Sequence, residues 1–170
     1  MALSARDSLL SPPSVSAPKL VAENSWQMEE NLMIDEQDKP LSLVMFSGTD
    51  DKLTAAAVLA VGAAAMGRPV NLFLQYYALD AFRAGKVNAD HALSPEATAA
   101  QAPVIRGHKG QHWSDLLRQA REVGEVNIQA CALSMDMFGI GRDDLDPIVD
   151  GIEGVAAFIA SASDGQVVFI

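Results

Sequence analysis

The chain has 170 residues, of which 49% are hydrophobic and 20% charged, and its formal net charge is −10. This composition is typical of a soluble globular protein with one core, and its surplus of carboxylates argues against nucleic-acid binding, which needs Lys and Arg to neutralise phosphates. Because no apolar run reaches the roughly 20 residues that cross a bilayer, and no secretory signal pattern opens the chain, we expect a cytoplasmic protein without membrane contact.

Residues 1–38 are predicted to form a flexible tail. Ser and Pro are frequent between residues 11 and 18, and acidic residues collect without a helical or strand period from residue 23 onward. Such a segment buries too little apolar surface to offset the entropy of ordering it. An alternative left open is a short amphipathic turn around Trp26 and Met33 that docks elsewhere. We therefore predict one α/β domain over residues 39–170.

The first half of this domain has the pattern of a strand, a helix and a second strand. Apolar residues 41–46 and 70–76 are typical of buried strands. The alanine-rich residues 50–66 between them predict a helix that ends at Gly67 and is buried on more than one side. Short connections imply parallel pairing of the two strands with a right-handed crossover.

The turn at residues 47–50 joins the first strand to the helix. Helix capping is favoured over phosphate binding, because Asp50 and Asp51 place negative charge at the helix start, where it repels an anion. The turn also lacks the lysine of a Walker motif and the glycine pattern of a dinucleotide site. Gly48 is a candidate pocket residue, since it lies at the carboxyl edge of the predicted sheet.

A long polar stretch at residues 85–111 predicts a functional or disordered loop. His108 and His112 are four residues apart, a spacing that suits a metal on a helix, but nearby glycines make a helix doubtful and we predict no metal site. A second hypothesis is electrostatic. In it, His108, His112, Lys109 or Arg106 folds over the sheet edge and stabilises the Cys131 thiolate or an anionic substrate.

The second half of the domain continues the alternation of helices and strands. Residues 112–124 predict a helix, residues 126–131 a strand, residues 154–162 a short helix and residues 166–170 a final strand. The whole pattern predicts a flavodoxin-like α/β fold, with an open, mostly parallel sheet and helices on both faces.

Cys131 is the single cysteine, which excludes an internal disulfide and a multi-cysteine zinc cage. It ends a predicted strand, at the sheet edge where open α/β proteins bind ligands. Strand alternation places it on the side of Asn127 and Gln129, a side expected to be exposed or to meet a polar interface. The thiol is then either a buried inert group or a nucleophile, and a helical turn starting near Ser134 would favour the thiolate.

The ten residues from Cys131 to Ile140 resemble the cysteine loop of the DsrE/DsrF-like family, with its C-x-x-S-M-x-x-x-G-I pattern. The order of elements over residues 41–170 is also similar. The resemblance implies a flavodoxin-like domain that assembles into homo-oligomers, trimers or hexamers, and takes part in sulfur relay. It implies that Cys131 holds sulfur as a persulfide or thiosulfonate and exchanges it with a small TusA-like carrier.

Several residues of this loop are candidates for the pocket around the cysteine. Ser134, Met135 and Gly139 belong to the matched pattern, and Met135 equally suits a core or subunit contact. Asp136 and Arg142 carry opposite charges near the sulfur, or are simply solvated or paired with each other. No cofactor is expected.

The leading hypothesis is a sulfur carrier or sulfurtransferase centred on Cys131. Peroxidase turnover is less favoured, because a lone cysteine has no resolving partner. The first alternative is a non-catalytic oligomeric module, which predicts a buried, unreactive Cys131. The second, ranked last, is a flavodoxin-like protein that binds a flavin or nucleotide.

Overall fold

The computed structural model describes residues 39–107 and 110–170, so the predicted tail, His108 and Lys109 lie outside the described residues. The strands found in these ranges are β1 (Leu41–Met45), β2 (Val70–Leu74), β3 (Val126–Cys131), β4 (Gly151–Glu153) and β5 (Gln166–Phe169). The helices are α1 (Asp50–Ala65), α2 (Ala78–Ala81), α3 (Gln101–Gly107), α4 (Trp113–Val123), α5 (Ala132–Phe138) and α6 (Val155–Ser161), with a 3-10 turn at Arg142–Asp144.

The strands form one sheet in the order β4-β3-β2-β1-β5, and each neighbouring pair is parallel. Leu43 of β1 lies opposite Leu72 of β2, and Phe73 of β2 lies opposite Gln129 of β3. Two of the three central strands, β1 and β2, are the apolar runs of the sequence, because a parallel sheet is buried on both faces, whereas β3 alternates between apolar and polar residues. The predicted flavodoxin-like α/β fold is confirmed.

One face of the sheet packs against α1 and α4, which also contact each other. We call it the α1/α4 face, and its core is continuous and almost fully sealed from solvent. Small side chains let the two helices come close: a Cβ on Gly124, just after α4, would lie 3.0 Å from the Ala64 Cβ of α1. Strand residues at the centre of this core include Leu43, Met45, Leu72, Leu74 and Ile128.

Helix α1 departs from its prediction on the side turned away from α4. Burial on more than one side was expected from its apolar composition, yet Val58 is 54% exposed and Leu59 is 44% exposed. The alanines that face the sheet and α4 are buried. The helix is therefore covered along one side only in this chain.

The opposite face of the sheet, which we call the α6 face, has a much thinner cover. Phe158 is the only buried residue of α6, and its ring stacks on Phe73 with centroids 4.5 Å apart. A small second core forms around this pair from Val44, Cys131 and Ala162. Helices thus cover both faces as predicted, but very unequally.

Three short elements were not predicted. Strand β4 has only three residues and adds a partner to β3. Helix α3 occupies part of the long polar stretch expected to be a loop. Helix α5 replaces the loop predicted after Cys131, and it ends where Gly139 adopts a left-handed φ of 62°. Each is too short for a periodic pattern to identify.

Candidate functional site

Cys131 lies where β3 passes directly into α5. It is the N-cap residue of that helix, with extended backbone angles (φ −71°, ψ 116°), and α5 begins at Ala132. The helix thus starts one to two residues earlier than the helical turn considered from the sequence. First-turn backbone N–H groups of a helix have no intrahelical partner and favour nearby negative charge.

The Cys131 side chain is buried, with 1% of the residue exposed. The predicted alternation of β3 is confirmed, because Asn127 and Gln129 are half-buried while Val126 and Ile128 are buried. The surroundings of the thiol were predicted wrongly: Cys131 contacts neither solvent nor a polar interface but belongs to the apolar cluster under α6. The reason is the Phe73–Phe158 stack, which closes the end of this face.

Ser134 and Met135 follow the cysteine on the first turns of α5. The Ser134 hydroxyl accepts a hydrogen bond of 3.1 Å from the backbone N–H of Tyr76, which ties α5 to the chain after β2. Met135 is buried in the core of the α1/α4 face. The structure thus assigns both residues a packing role next to the cysteine, and their contact with a substrate stays a prediction.

Two glycines proposed for the pocket have clear backbone functions. Gly139 ends α5 in the left-handed conformation that glycine adopts without steric cost. A Cβ on Gly48 would lie 2.5 Å from the carbonyl oxygen of Tyr77, so only glycine fits between the β1–α1 turn and the chain after β2. Both residues shape the carboxyl edge of the sheet near β3.

An aromatic rim that the sequence analysis missed surrounds this edge. Phe46 lies 4.9 Å from Tyr76 and 5.7 Å from Phe169 between ring centroids, and Tyr76 lies 6.4 Å from Phe138 of α5. Tyr77 and Phe169 are 63% and 66% exposed. The sequence could have indicated these rings by their positions alone. Some of them follow the ends of β1 and β2, and the others are the last residues of α5 and β5.

The predicted charged partners of Cys131 are engaged elsewhere. Arg106 forms an ion pair of 3.7 Å with Asp50 and donates to the carbonyl of His91, and Arg142 donates to the carbonyl of Asp150. His112 is the N-cap of α4, and its Nδ1 accepts from the backbone N–H of Ser114. Within the described residues, the polar contacts of Arg106 and His112 are with α1, α4 and the long loop, and none of them joins either side chain to Cys131.

The acidic pair at the start of α1 holds the long loop, which the sequence analysis did not foresee. The Asp50 Oδ2 atom accepts a 2.9 Å hydrogen bond from the N–H of His91, and Asp51 accepts from both the N–H and the hydroxyl of Ser94. The predicted side-chain cap is absent at the N-cap residue Thr49. Burial raises the pKa of Asp51, but the Ser94 hydrogen bonds outweigh it, so that this pKa lies below its ordinary value of 3.8.

The described residues contain no grouped metal ligands and no membrane-spanning helix. No three His, Cys, Asp or Glu side chains in residues 39–107 and 110–170 are grouped so as to hold a metal ion. No helix in the same ranges is long and apolar enough to span a membrane.

Comparison with known proteins relates the chain to a protein family and to a curated bacterial protein. The model of the DsrE/DsrF/DrsH-like family matches residues 37–109 and 103–170. A protein of Bacillus subtilis (strain 168) named "Uncharacterized protein YrkE" is 32% identical over 156 residues, which cover 78% of this chain and 96% of that protein. The family model extends over the α/β domain and includes Cys131.

Proposed function

Because this chain belongs to the DsrE/DsrF/DrsH-like family, we propose that it is a sulfur carrier or sulfurtransferase that holds sulfane sulfur on Cys131. The observation that carries the proposal is the position of the only cysteine, which ends an inner strand of the sheet and directly precedes α5. The carboxyl edge of an open α/β sheet is where such folds bind ligands. The reduced thiol that the reaction requires suits the cytoplasm.

The chemistry needs one nucleophile and no bound cofactor. The Cys131 thiolate attacks the outer sulfur of a donor persulfide, the S–S bond of the donor breaks, and the donor leaves as a thiolate. Cys131 then carries the sulfur as its own persulfide. An acceptor thiolate, in our proposal that of a TusA-like carrier, attacks this outer sulfur and restores the Cys131 thiolate. With tetrathionate as the donor, the Cys131 thiolate attacks one of the two central sulfurs, the bond between these sulfurs breaks, thiosulfate leaves, and Cys131 holds a thiosulfonate.

Access to the thiol requires local opening of α6. Cys131 is covered by a helix of seven residues that inserts one side chain, Phe158, into the small second core. Elements with few buried contacts open at a lower free energy than the whole domain unfolds. Cys131 is therefore expected to react slowly but measurably in the folded protein, and to be shielded from water once it is loaded.

Assembly into a homo-oligomer, a trimer or hexamer, is part of the proposal. Helix α6 consists of apolar residues apart from one serine, yet Ile159 is 60% exposed and Val155 is 43% exposed. A helix that is apolar on every side is normally buried. The neighbouring strand β5 adds Val167 and Phe169, which are 51% and 66% exposed. Together these four side chains form an exposed apolar surface, and a second copy of the chain would cover it.

The deciding experiment is intact-mass spectrometry of the full chain after incubation with polysulfide, thiosulfate or tetrathionate. The wild type should gain the mass of a persulfide or thiosulfonate that a reductant removes. Cys131→Ser, which changes one atom in a buried position, should show no increase in mass with any of the three reagents. A wild-type chain that stays unmodified by all three reagents contradicts the proposal.

The burial of Cys131 favours a second candidate, a non-catalytic oligomeric module. In that case the thiol is a small hydrophobic group of the second core. Alkylation of the folded protein separates the two functions. A module without sulfur chemistry should be alkylated only at the rate of global unfolding, whereas a carrier should react through local opening at a faster rate.

A further inference from the structure

A cavity of about 650 Å³ lies apart from the cysteine, between the first turns of α1 and α4 and the loop that carries α3. Cys131 is not among its lining residues. Its volume is within the range of small-molecule sites, about 300–1,000 Å³. Its wall includes Asp50, Asp90, Ile105, His112 and Trp113.

Three side chains of this wall each have a buried polar atom without a hydrogen-bond partner. They are the Asp50 Oδ1, the His112 Nε2 and the Trp113 Nε1 atoms, and Trp113 is only 1% exposed. Buried polar groups are normally paired, since leaving them unpaired is costly. All three atoms belong to residues that line one cavity, so we infer a site where a ligand completes their hydrogen bonds once the atoms become accessible.

The chemistry of these atoms defines what the ligand must offer. The indole Nε1–H of Trp113 is only a donor, and a carboxylate oxygen of Asp50 is only an acceptor. His112 Nδ1 lies near both the N–H and the hydroxyl of Ser114, and its Nε2 donates or accepts according to the tautomer. A ligand therefore needs both a hydrogen-bond donor and an acceptor.

The charge of the wall adds a further requirement. Among the described lining residues, the carboxylates Asp50, Asp51 and Asp90 outnumber the one guanidinium, that of Arg106, so this part of the wall favours a cation. The opposite part of the wall is apolar and includes Leu93, Val104 and Ile105. A cationic group and an apolar group can thus be accommodated at the same time.

We propose that this cavity binds a small amphipathic primary amine that carries a neighbouring hydroxyl group. The ammonium pairs with the free oxygen of Asp50, and the hydroxyl oxygen accepts from Trp113 or His112. The apolar part lies along α3. The three polar atoms are closed off from solvent, so binding requires the loop to open, and its attachments are the Asp50 and Asp51 hydrogen bonds to His91 and Ser94.

The test follows the fluorescence of Trp113 in the full chain with Trp26→Phe, which leaves Trp113 as the only tryptophan. Three probes share one skeleton: 2-amino-1-phenylethanol is a cation, 1-phenyl-1,2-ethanediol is neutral and mandelate is an anion. The amine should bind saturably, the diol about tenfold more weakly, and mandelate not at all. The proposal is overturned if the amine shows no saturable binding at millimolar concentration, or if it binds no better than the diol.

Variants then locate the site. Asp50→Asn should abolish the preference for amine over diol, an outcome that a merely loosened loop would not produce. Trp113→Phe, followed by calorimetry, should weaken amine binding about fivefold by removing one hydrogen-bond donor. The exposed Asp164→Asn serves as the charge control and should bind like the parent chain. If Asp50→Asn and Trp113→Phe both bind the amine like this control, the site lies elsewhere and the proposal is wrong.

Discussion

The two faces of the sheet differ in how they are built and in what they hold. The α1/α4 face is covered by two long helices and contains a continuous core that includes Leu43, Leu72 and Ile128. The α6 face has one short helix, a core of five residues and half-buried polar side chains such as Asn127 and Gln129. Most of the buried apolar surface, and hence most of the stability, lies on the first face. The only cysteine lies on the second, where local opening is easiest.

The largest effect that we predict concerns assembly. A glutamate at position 159 would bury a charge if the exposed apolar surface of α6 and β5 is a subunit interface. Ile159→Glu should therefore weaken self-association by at least about a thousandfold and give a monomer in light scattering. Val58→Glu is the matched control, because Val58 is an exposed apolar residue of α1, on the opposite side of the sheet from α6. This variant should leave the oligomer intact. Dissociation by Val58→Glu alone would place the interface on α1.

The stability of the α1/α4 face is tested by truncating its core. Leu72→Ala should lower the free energy of unfolding by about 3 kcal/mol, because it leaves a cavity in a sealed core. Val167→Ala, at a position of β5 that is 51% exposed, should cost less than about 0.5 kcal/mol. Urea titrations of both variants measure the difference. If both variants lose the same free energy of unfolding, the claim that most of the stability lies on the α1/α4 face is contradicted.

The thin cover of Cys131 is tested by its rate of alkylation. Phe158→Ala removes the ring that stacks on Phe73, and it should raise this rate about tenfold in the folded protein. Val58→Ala, at an exposed position of α1 on the other side of the sheet, should leave the rate unchanged. If both variants react like the wild type, α6 is not the barrier to the thiol.

The smallest effect that we predict is a pH dependence of the hydrogen bonds between Asp51 and Ser94, which hold the long loop to α1. The pKa of Asp51 is lowered in the folded chain, so its contribution to stability is complete above the ordinary value of 3.8 and is lost as the pH falls through the lower folded value. Amide exchange at Ser94 should therefore be constant from neutral pH to about pH 4, after correction for intrinsic rates, and accelerate below it. Asp51→Asn should remove this step, while the sheet amide of Val70 stays protected in both chains.

The architecture was predictable because its main elements have strong local signals. Two apolar runs identify β1 and β2, an alternating segment identifies β3, and an alanine-rich segment identifies α1. The alternation of β3 also gave the correct side for Cys131. Short elements such as β4 and α5 were not predictable, since three to seven residues carry no reliable period.

The surroundings of the site were harder to predict than its position. The cover over Cys131 comes from Phe158, which is 27 residues away along the chain and docks through tertiary contacts. The hydrogen-bond partner of Asp51 was equally hard to predict, because Ser94 belongs to a distant loop without a regular sequence pattern. Local sequence indicates where a side chain lies on its own element, but not which distant element closes over it.

The backbone of Tyr76 has a consequence for how this protein tolerates change. Its φ of 42° is a conformation that glycine or asparagine adopts more readily, and the hydrogen bond from its N–H to Ser134 helps to hold it. Selection for stability alone would favour glycine here. Glycine would also delete the ring between Phe46 and Phe138, next to the cysteine helix. Position 76 is thus a point where thermostabilising design and preservation of the site make opposite demands.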